Sequence, residues 1–349
     1  MATRPATGVT IYQVAQRAGV STATVSRALR NDPRISDPTR IAVQEAAAAL
    51  DYLPRAAARS LAAGNRTHAL GLVLPHIDGP YYADLLVGFE TAASQAGYSV
   101  IITLANPRQD SRAAIRSLAA QVDGIAFMAR SAARSDLIEE IARTRPVVTA
   151  ARSRVGANDA FFVENEDVAE ELTSHLLANG RQRIAFVGSP EPGSDLGMRH
   201  RGHQAAMTAA GLPTSTHPVF PSEQEGRRFA LELLESGMEH DALVCGNDEL
   251  ALAVLQTLQQ HGVRVPDDVA ITGWDDTVTA RYVSPGLTTV SQPVRQLGGM
   301  VVQRLSQRID GADPTAEVVT LPATLAHRTS CGCNPTGGNN PNESNKELP

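Results

Sequence analysis

Between Thr10 and Arg30, apolar residues recur at helical spacing in two short runs separated by a glycine: Thr10-Ile-Tyr-Gln-Val-Ala-Gln-Arg-Ala-Gly19-Val-Ser21-Thr-Ala-Thr-Val-Ser-Arg-Ala-Leu-Arg30. Ile11, Val14, Ala15 and Ala18 share one face of the first run. Thr10, with Gln13 three residues on, forms a capping-box pattern that starts this helix. Gly19 ends it, because a residue without Cβ takes the left-handed conformation at little cost. Ser21 is placed to cap the second run, and Val20 and Val25 occupy the two positions of a hydrophobic staple. At about 100° per residue, Val25, Ala28 and Leu29 share one side of that helix, whereas Thr22, Ala23, Ser26, Arg27 and Arg30 fill an arc of roughly 140° on the other. One side packs, and the other is small, polar and basic enough to enter a nucleic-acid groove. A plain three-helix packing unit with a solvated charged face is the competing reading. A third helix is predicted with Ser36 as its cap and Val43, Ala47 and Leu50 facing inward. Pro54 biases Leu53 away from the helical region and suits a first turn, so a further short helix is predicted from there to Gly64. About eight residues are too few for a stable isolated helix in water, so this segment needs a partner to order it.

Beyond residue 68 the period changes. Short apolar runs alternate with helical stretches: Ala69-Leu-Gly-Leu-Val-Leu74, Tyr98-Ser-Val-Ile-Ile-Thr103, Val122-Asp-Gly-Ile-Ala-Phe127, Pro146-Val-Val-Thr149, Arg183-Ile-Ala-Phe-Val187, Asp241-Ala-Leu-Val-Cys245 and Val269-Ala-Ile-Thr-Gly273. That order predicts parallel sheets with right-handed crossovers, and about 260 residues suffice for two α/β lobes. Ligands in such sheets bind beyond the carboxyl ends of the strands.

Charge sharpens the division. Residues 1 to 66 carry nine Arg against four acids, a local balance of +5, which leaves −11 for the rest of a chain whose total is −6. A basic module on an acidic body predicts that phosphate contact is confined to the N-terminal end. No Gly-x-Gly-x-x-Gly follows any of the strand runs, and the only Lys is Lys346, which excludes a P-loop. His-Glu-x-x-His and Gly-x-Ser-x-Gly are missing as well, so no enzyme class is indicated and no cofactor is expected. Three Cys make no disulfide framework and fit a reducing cytoplasm. His327, Cys331 and Cys333 offer three metal ligands where a zinc site normally needs four, so no metal is expected. No stretch approaches the ~18 apolar residues of a membrane span. Residues 331–349, rich in Asn, Gly and Pro, read as a disordered tail.

The segment from Thr10 to Arg27 resembles the DNA-binding headpiece of the lactose/galactose (LacI/GalR) repressor family, whose motif runs Thr-Ile-x-x-Val-Ala-x-x-Ala-Gly-Val-Ser-x-x-Thr-Val-Ser-Arg. The similarity continues through Arg34-Ile-Ser-Asp-Pro-Thr-Arg40 and Tyr52-Leu-Pro-Arg-Ala-Ala-Ala-Arg-Ser-Leu61-Ala. It extends to about residue 330 by way of Arg264-Val-Pro-Asp-Asp-Val-Ala-Ile-Thr-Gly-Trp-Asp275-Asp and Ala280-Arg-Tyr-Val-Ser-Pro-Gly-Leu-Thr-Thr-Val-Ser-Gln-Pro293. The resemblance implies a small all-α helix-turn-helix headpiece over 1–53 and a hinge helix and linker over 54–68. A two-lobed α/β core like periplasmic sugar-binding proteins would follow, with an N-lobe of 69–163 plus 291–322 and a C-lobe of 164–290. It implies a homodimer, or a tetramer, that binds a pseudo-palindromic operator in double-stranded DNA through Thr10, Tyr12, Ser21, Thr22, Ala23, Thr24, Ser26, Arg27 and Arg30. Arg55, Ala58 and the wedge Leu61 would serve at the hinge, although Leu61 also reads as simple linker packing.

A small-molecule effector between the lobes is also implied, with His76, Tyr81, Tyr82, Arg152, Glu164, Arg199, Asn247, Trp274 and Asp275 as contacts. Of these, His76, Tyr81 and Tyr82 are expected in the loop after the first core strand. Arg with Asp or Asn gives paired donors and acceptors for vicinal hydroxyls, and aromatic faces suit a sugar ring. Core packing is the competing reading for Trp274 and Tyr82. Pro221 stands near where the family often places a ring-stacking aromatic, with Phe220 beside it as a substitute. The implied function is a repressor of carbohydrate-use genes. Two alternatives stand beside it: a solute-binding protein of transport type, which would need a secretory signal that Met1 to Val9 does not resemble, and a regulator sensing a nucleoside or purine-like corepressor.

Overall fold

The computed structural model describes residues 9–29, 32–50, 52, 66–106, 110–191, 193–312 and 315–333, in two units that divide after Thr67. In the first unit, local chemistry sets the ends of α1 (Ile11–Ala18), α2 (Thr22–Ala28) and α3 (Asp37–Ala48). The Thr10 amide donates to Gln13 Oε1 at 2.8 Å, closing the capping box, and Gly19 turns left-handed at φ 66°. Ser21 Oγ accepts from the Thr24 amide at 3.1 Å. Ser36 stands at the cap position of α3, yet its hydroxyl pairs with that of Thr39 at 2.9 Å instead of with the helix backbone. Val14, Val25, Ala28 and Val43 are fully buried where the three helices meet, with Ile11, Val20, Leu29 and Leu50 around them. Arg55, Ala58 and Leu61, expected at a hinge, lie outside the described residues, as does Arg30.

The second unit contains two parallel sheets. The larger is ordered β11-β5-β4-β3-β1-β2, from β1 (Ala69–Leu74), β2 (Ser99–Leu104), β3 (Gly124–Met128), β4 (Val147–Ala150), β5 (Asp159–Val163) and β11 (Val318–Leu321). The smaller is ordered β7-β6-β8-β9, from β6 (Ile184–Val187), β7 (Ser215–His217), β8 (Ala242–Cys245) and β9 (Ala270–Thr272). β10 (Thr289–Ser291) and β12 (Thr324–Ala326) pair antiparallel as a ribbon. The helices α4 (Pro80–Gln95), α5 (Arg112–Ala119), α6 (Ser135–Ala142) and α12 (Val294–Ile309) accompany the larger sheet. The helices α7 (Glu166–Ala178), α8 (Asp195–Ala209), α9 (Glu223–Ser236), α10 (Asp248–Gln260) and α11 (Val278–Tyr282) accompany the smaller.

The chain therefore leaves the first lobe after β5, returns after β10 and leaves again after β11. Two devices hold the returning segment. α12 lies so close to α4 that a Cβ on Gly88 would stand 2.0 Å from the Arg295 carbonyl oxygen, and one on Gly298 would stand 2.6 Å from that of Leu85. Asp159, fully buried at the start of β5, takes Arg304 Nε at 2.9 Å and Arg308 Nε at 3.0 Å from α12, and the Glu317 amide at 2.8 Å from the approach to β11. The final described segment then packs on the second lobe, where Cys331 is fully buried and Ser330 Oγ accepts from the Thr288 amide at 2.8 Å. Order thus continues through Cys333, past the point where composition alone would begin a tail; residues 334–349 lie outside the described residues.

Candidate functional site

On the first unit, burial divides α2 as its periodicity requires. Val25 and Ala28 are inside, Ala23 and Arg27 are exposed, and Thr22, Thr24 and Ser26 are half-buried beside them. Tyr12 on α1 is 73% exposed, a large aromatic standing clear of its own core. Thr10 and Ser21 are also exposed, although their hydroxyls serve the capping interactions at the helix starts.

The second site lies where the strand ends of the two lobes face each other. From the first lobe come His76 after β1, Tyr81 and Tyr82, Arg130 after β3, and Arg152 after β4. The two tyrosines belong to the first turn of α4 and not to the loop before it, because Pro80 starts the helix one residue ahead of them. His76 and Tyr82 meet edge to face at 4.6 Å, and Tyr81 and Tyr82 at 5.2 Å. From the second lobe come Asp195 and Arg199 on α8, Asn247 and Glu249 at the start of α10, and Asp275 after β9.

Arg199 is the centre of this wall. It is 6% exposed, donates from Nε to Asn165 Oδ1 and from Nη1 to the Gly246 carbonyl, both at 2.7 Å, and lies 4.3 Å over the Trp274 ring. A guanidinium held on three sides is a fixed donor, and burial draws its pKa below the ordinary value. Burial pushes Asp195 up to about 6 and Asp275 up to about 8, with Arg199 opposing both shifts. Asp195 Oδ1 is buried with no hydrogen-bond partner among the described residues. Asp275 adopts φ 113° and accepts from Gln292 Nε2 at 2.6 Å, on the return crossing. Burial raises the Tyr81 phenol well above 10, and so do the charges of Asp195 and Asp275, which places that hydroxyl in their field from across the cleft.

Several predicted contacts have structural duties. Glu164 accepts with one oxygen from the amides of Asn165, Glu166 and Asp167, between 2.8 and 3.2 Å, and so caps α7. Asn247 Oδ1 caps α10 through the Leu250 amide at 3.0 Å. Trp274 is 1% exposed and backs Arg199 from within the core, while Tyr82 is 8% exposed. Of the two alternatives open for these aromatics, core packing is the one their burial fits; Trp274 backs Arg199, and Tyr82 packs against His76 and Tyr81 on the first lobe. Arg152 Nη1 donates to the Ala133 carbonyl at 3.1 Å, and burial lowers its pKa. Asp195, Asn165, Gln292 and Arg130 carry no sequence signal that singles them out.

The lobes touch around this wall. Arg130 lies 4.5 Å over the half-exposed Phe220 ring, and Ser153 Oγ donates to the Gly193 carbonyl at 2.7 Å. Gly79, at φ 83°, approaches Glu249 so closely that a Cβ would stand 2.4 Å from Oε1. His76 has its pKa lowered by burial and by Arg130.

Comparison with known proteins covers both units of the chain. A model described as bacterial regulatory proteins, lacI family, matches residues 10–55, and one described as a periplasmic binding protein-like domain matches residues 173–331. The chain is 32% identical over 330 residues to catabolite control protein A of Priestia megaterium, spanning 92% of this chain and 99% of that one. The chain belongs to the LacI family. Against the ribose operon repressor of Escherichia coli strain K12 it is 32% identical over 324 residues, covering 90% and 97% of the two chains. The structure of the lac repressor dimer bound to operator and the anti-inducer ONPF superposes with a TM-score of 0.80 at 25% identity, over 93% of this chain and 99% of that one. As a LacI-family regulator, the protein joins a DNA-binding helix-turn-helix unit to an effector-binding α/β core. No helix among its described residues is long and apolar enough to cross a membrane.

Proposed function

We propose that this regulator is a homodimeric repressor of carbohydrate-use genes whose cleft takes an uncharged polyhydroxylated ligand. The observation that carries the reading is the wall of Arg199, Asp195 and Asp275 facing Tyr81. A fixed cationic donor beside two carboxyl groups, Asp275 held protonated up to about pH 8 by burial and Asp195 ionising near pH 6, matches the alternating donors and acceptors of vicinal hydroxyls. An anionic ligand would meet one guanidinium whose charge the Asp195 carboxylate already offsets at neutral pH, a poor match in charge. Arg130 and Phe220 offer a cationic and an aromatic edge at the mouth, and the name of the ribose operon repressor points to the same ligand class.

On the DNA side, Arg27 reaches a base edge or adjacent phosphate, Thr22 and Ala23 set half-site preference, and Tyr12, Ser21, Thr24 and Ser26 line the approach. Ligand binding acts by its different affinity for two arrangements of the lobes, only one of which suits operator binding. A thermal-shift panel of pentoses, hexoses, disaccharides, purine bases and nucleosides tests the reading, followed by operator binding with the hit. A sugar hit whose effect disappears in Arg199→Ala supports it. Stabilisation by purines alone, or a sugar that binds without changing operator affinity, overturns it.

A further inference from the structure

Outside both sites, the second lobe gathers two histidines and two cysteines from distant parts of the chain. His175 projects from α7, His327 follows β12, and Cys331 and Cys333 lie in the last described turn. The ligand atoms of His175, His327 and Cys333 all lie within 4.8 Å of one another. Cys331 Sγ is 3.4 Å from His175 Nε2, across 156 positions of sequence, and 2.6 Å from Cys333 Sγ. The two imidazoles stand with ring centroids 4.4 Å apart. We propose that these four side chains form a structural zinc site that fastens the C-terminal segment to α7.

The donor set points to the metal. Two thiolates and two imidazoles suit zinc in closed tetrahedral coordination and leave no position for substrate, the mark of a structural site. With Zn–S near 2.3 Å and Zn–N near 2.0–2.1 Å, tetrahedral edges run roughly 3.3 to 3.8 Å. His175 Nε2 and Cys331 Sγ, at 3.4 Å, are already at that spacing, and the atoms of His175, His327 and Cys333 lie within 4.8 Å of one another; Cys331 must swing towards His327 and the two sulfurs must part by about 1 Å, movements that rotation about Cα–Cβ supplies. Both thiols now donate to the Arg328 carbonyl, at 3.3 and 3.2 Å, and metal binding would replace those bonds. The Cys333 amide donates to Cys331 Sγ at 3.4 Å, an interaction that would support a thiolate there. Asn179 Nδ2 donates to the His175 carbonyl at 2.6 Å and lies 3.3 Å from His175 Nε2, a contact that the imidazole would give up to the metal. The tail residues alone offer three ligands; the fold adds the fourth from α7.

The test uses the full chain, reduced with a thiol-free phosphine and loaded with Co(II) as a spectroscopic probe. One Co(II) per chain is expected, with sulfur-to-metal charge transfer in the near ultraviolet and the intense visible bands of a tetrahedral ion, both abolished by one equivalent of zinc. His327 is exposed, so His327→Ala should leave the fold and operator binding unchanged while lowering zinc affinity by about 100-fold or more, measured against a competing chelator. Cys333→Ser should remove most of the charge-transfer band. A weak octahedral spectrum without charge transfer would overturn the site. So would unchanged zinc affinity in both variants, or a Cys331–Cys333 disulfide in the isolated protein that takes up no metal after reduction.

Discussion

Asp275→Asn tests the electrostatics of the cleft without requiring the ligand. The carboxyl group has its pKa pushed from 3.8 to about 8, chiefly by burial. The folded state therefore holds a proton between about pH 4 and pH 8 that the unfolded chain has released, and stability falls as pH rises through that window. A pKa displaced by one pH unit corresponds to about 1.4 kcal/mol, and because Asp275 keeps part of its surface in water, the expected size is discounted to about 2 kcal/mol. Asn matches the side chain in shape, tolerates positive φ and offers Gln292 the same acceptor, yet never ionises. The Tm of the ligand-free variant should thus rise relative to wild type from pH 5 upward, the gain over the whole window reaching about 4 °C by pH 8 to 9, given ~2 °C per kcal/mol for a domain of this size. Asp195 and Asp248, both raised to about 6, lose their protons lower in the range, so the difference between the two proteins above pH 6 belongs to Asp275. Thermal unfolding from pH 5 to 9 in matched ionic strength reads this directly. Parallel curves for the two proteins would show that the carboxylate bears no burial cost and would refute the reasoning.

On the DNA side, replacing Thr22 and Ala23 together should change the operator selected from a randomised pool while leaving non-specific affinity nearly constant; recovery of the wild-type operator would count against α2 as the reading helix. Leu61→Ala, at the proposed hinge wedge, should weaken operator binding and reduce the bend seen by gel phasing with the core still folded, and an unchanged bend would dismiss the wedge. Gly88→Ala should lower unfolding free energy by about 1–3 kcal/mol in urea, because its Cβ would meet the Arg295 carbonyl backbone and force α4 from α12; a change below about 0.5 kcal/mol would mean the helices slide apart freely.

What could be read in advance depended on how far apart the cooperating residues lie. The capping box at Thr10, the left-handed Gly19 and the Ser21 cap act within three residues, so the chain displays them openly. Most core strands are visible as apolar runs because both faces of a parallel sheet are covered. β5 is not singled out, although Ala160 to Val163 is apolar like the others; the buried Asp159 that begins it makes sense only beside Arg304 and Arg308 from α12. β7, β10 and β12 are three residues each, too short for a period to register, and β11 is an edge strand with an exposed face. In the cleft, Arg199 and Asp275 are indicated by resemblance, whereas Asp195 looks like an ordinary acid in the first turn of a helix. Glu164 and Asn247 match ligand contacts by type although cap geometry occupies them, a competition that residue type alone does not resolve.

The threefold crossing between lobes has a consequence for how the chain is made. Residues 69–163 emerge from the ribosome with most of the first sheet, but α12 and β11 arrive only after the whole second lobe. Until then the face of α4 bearing Leu85 and Phe89 has no covering helix, Asp159 has no guanidinium partner, and β5 presents an unpaired edge. The second lobe, whose own sheet is contiguous from β6 to β9, can close first, so the order of folding would run against the order of synthesis. A nascent chain stalled between β5 and residue 294 should then be held by chaperones at its first lobe, and a nonsense mutation in that interval would release an adhesive fragment in place of a weak repressor.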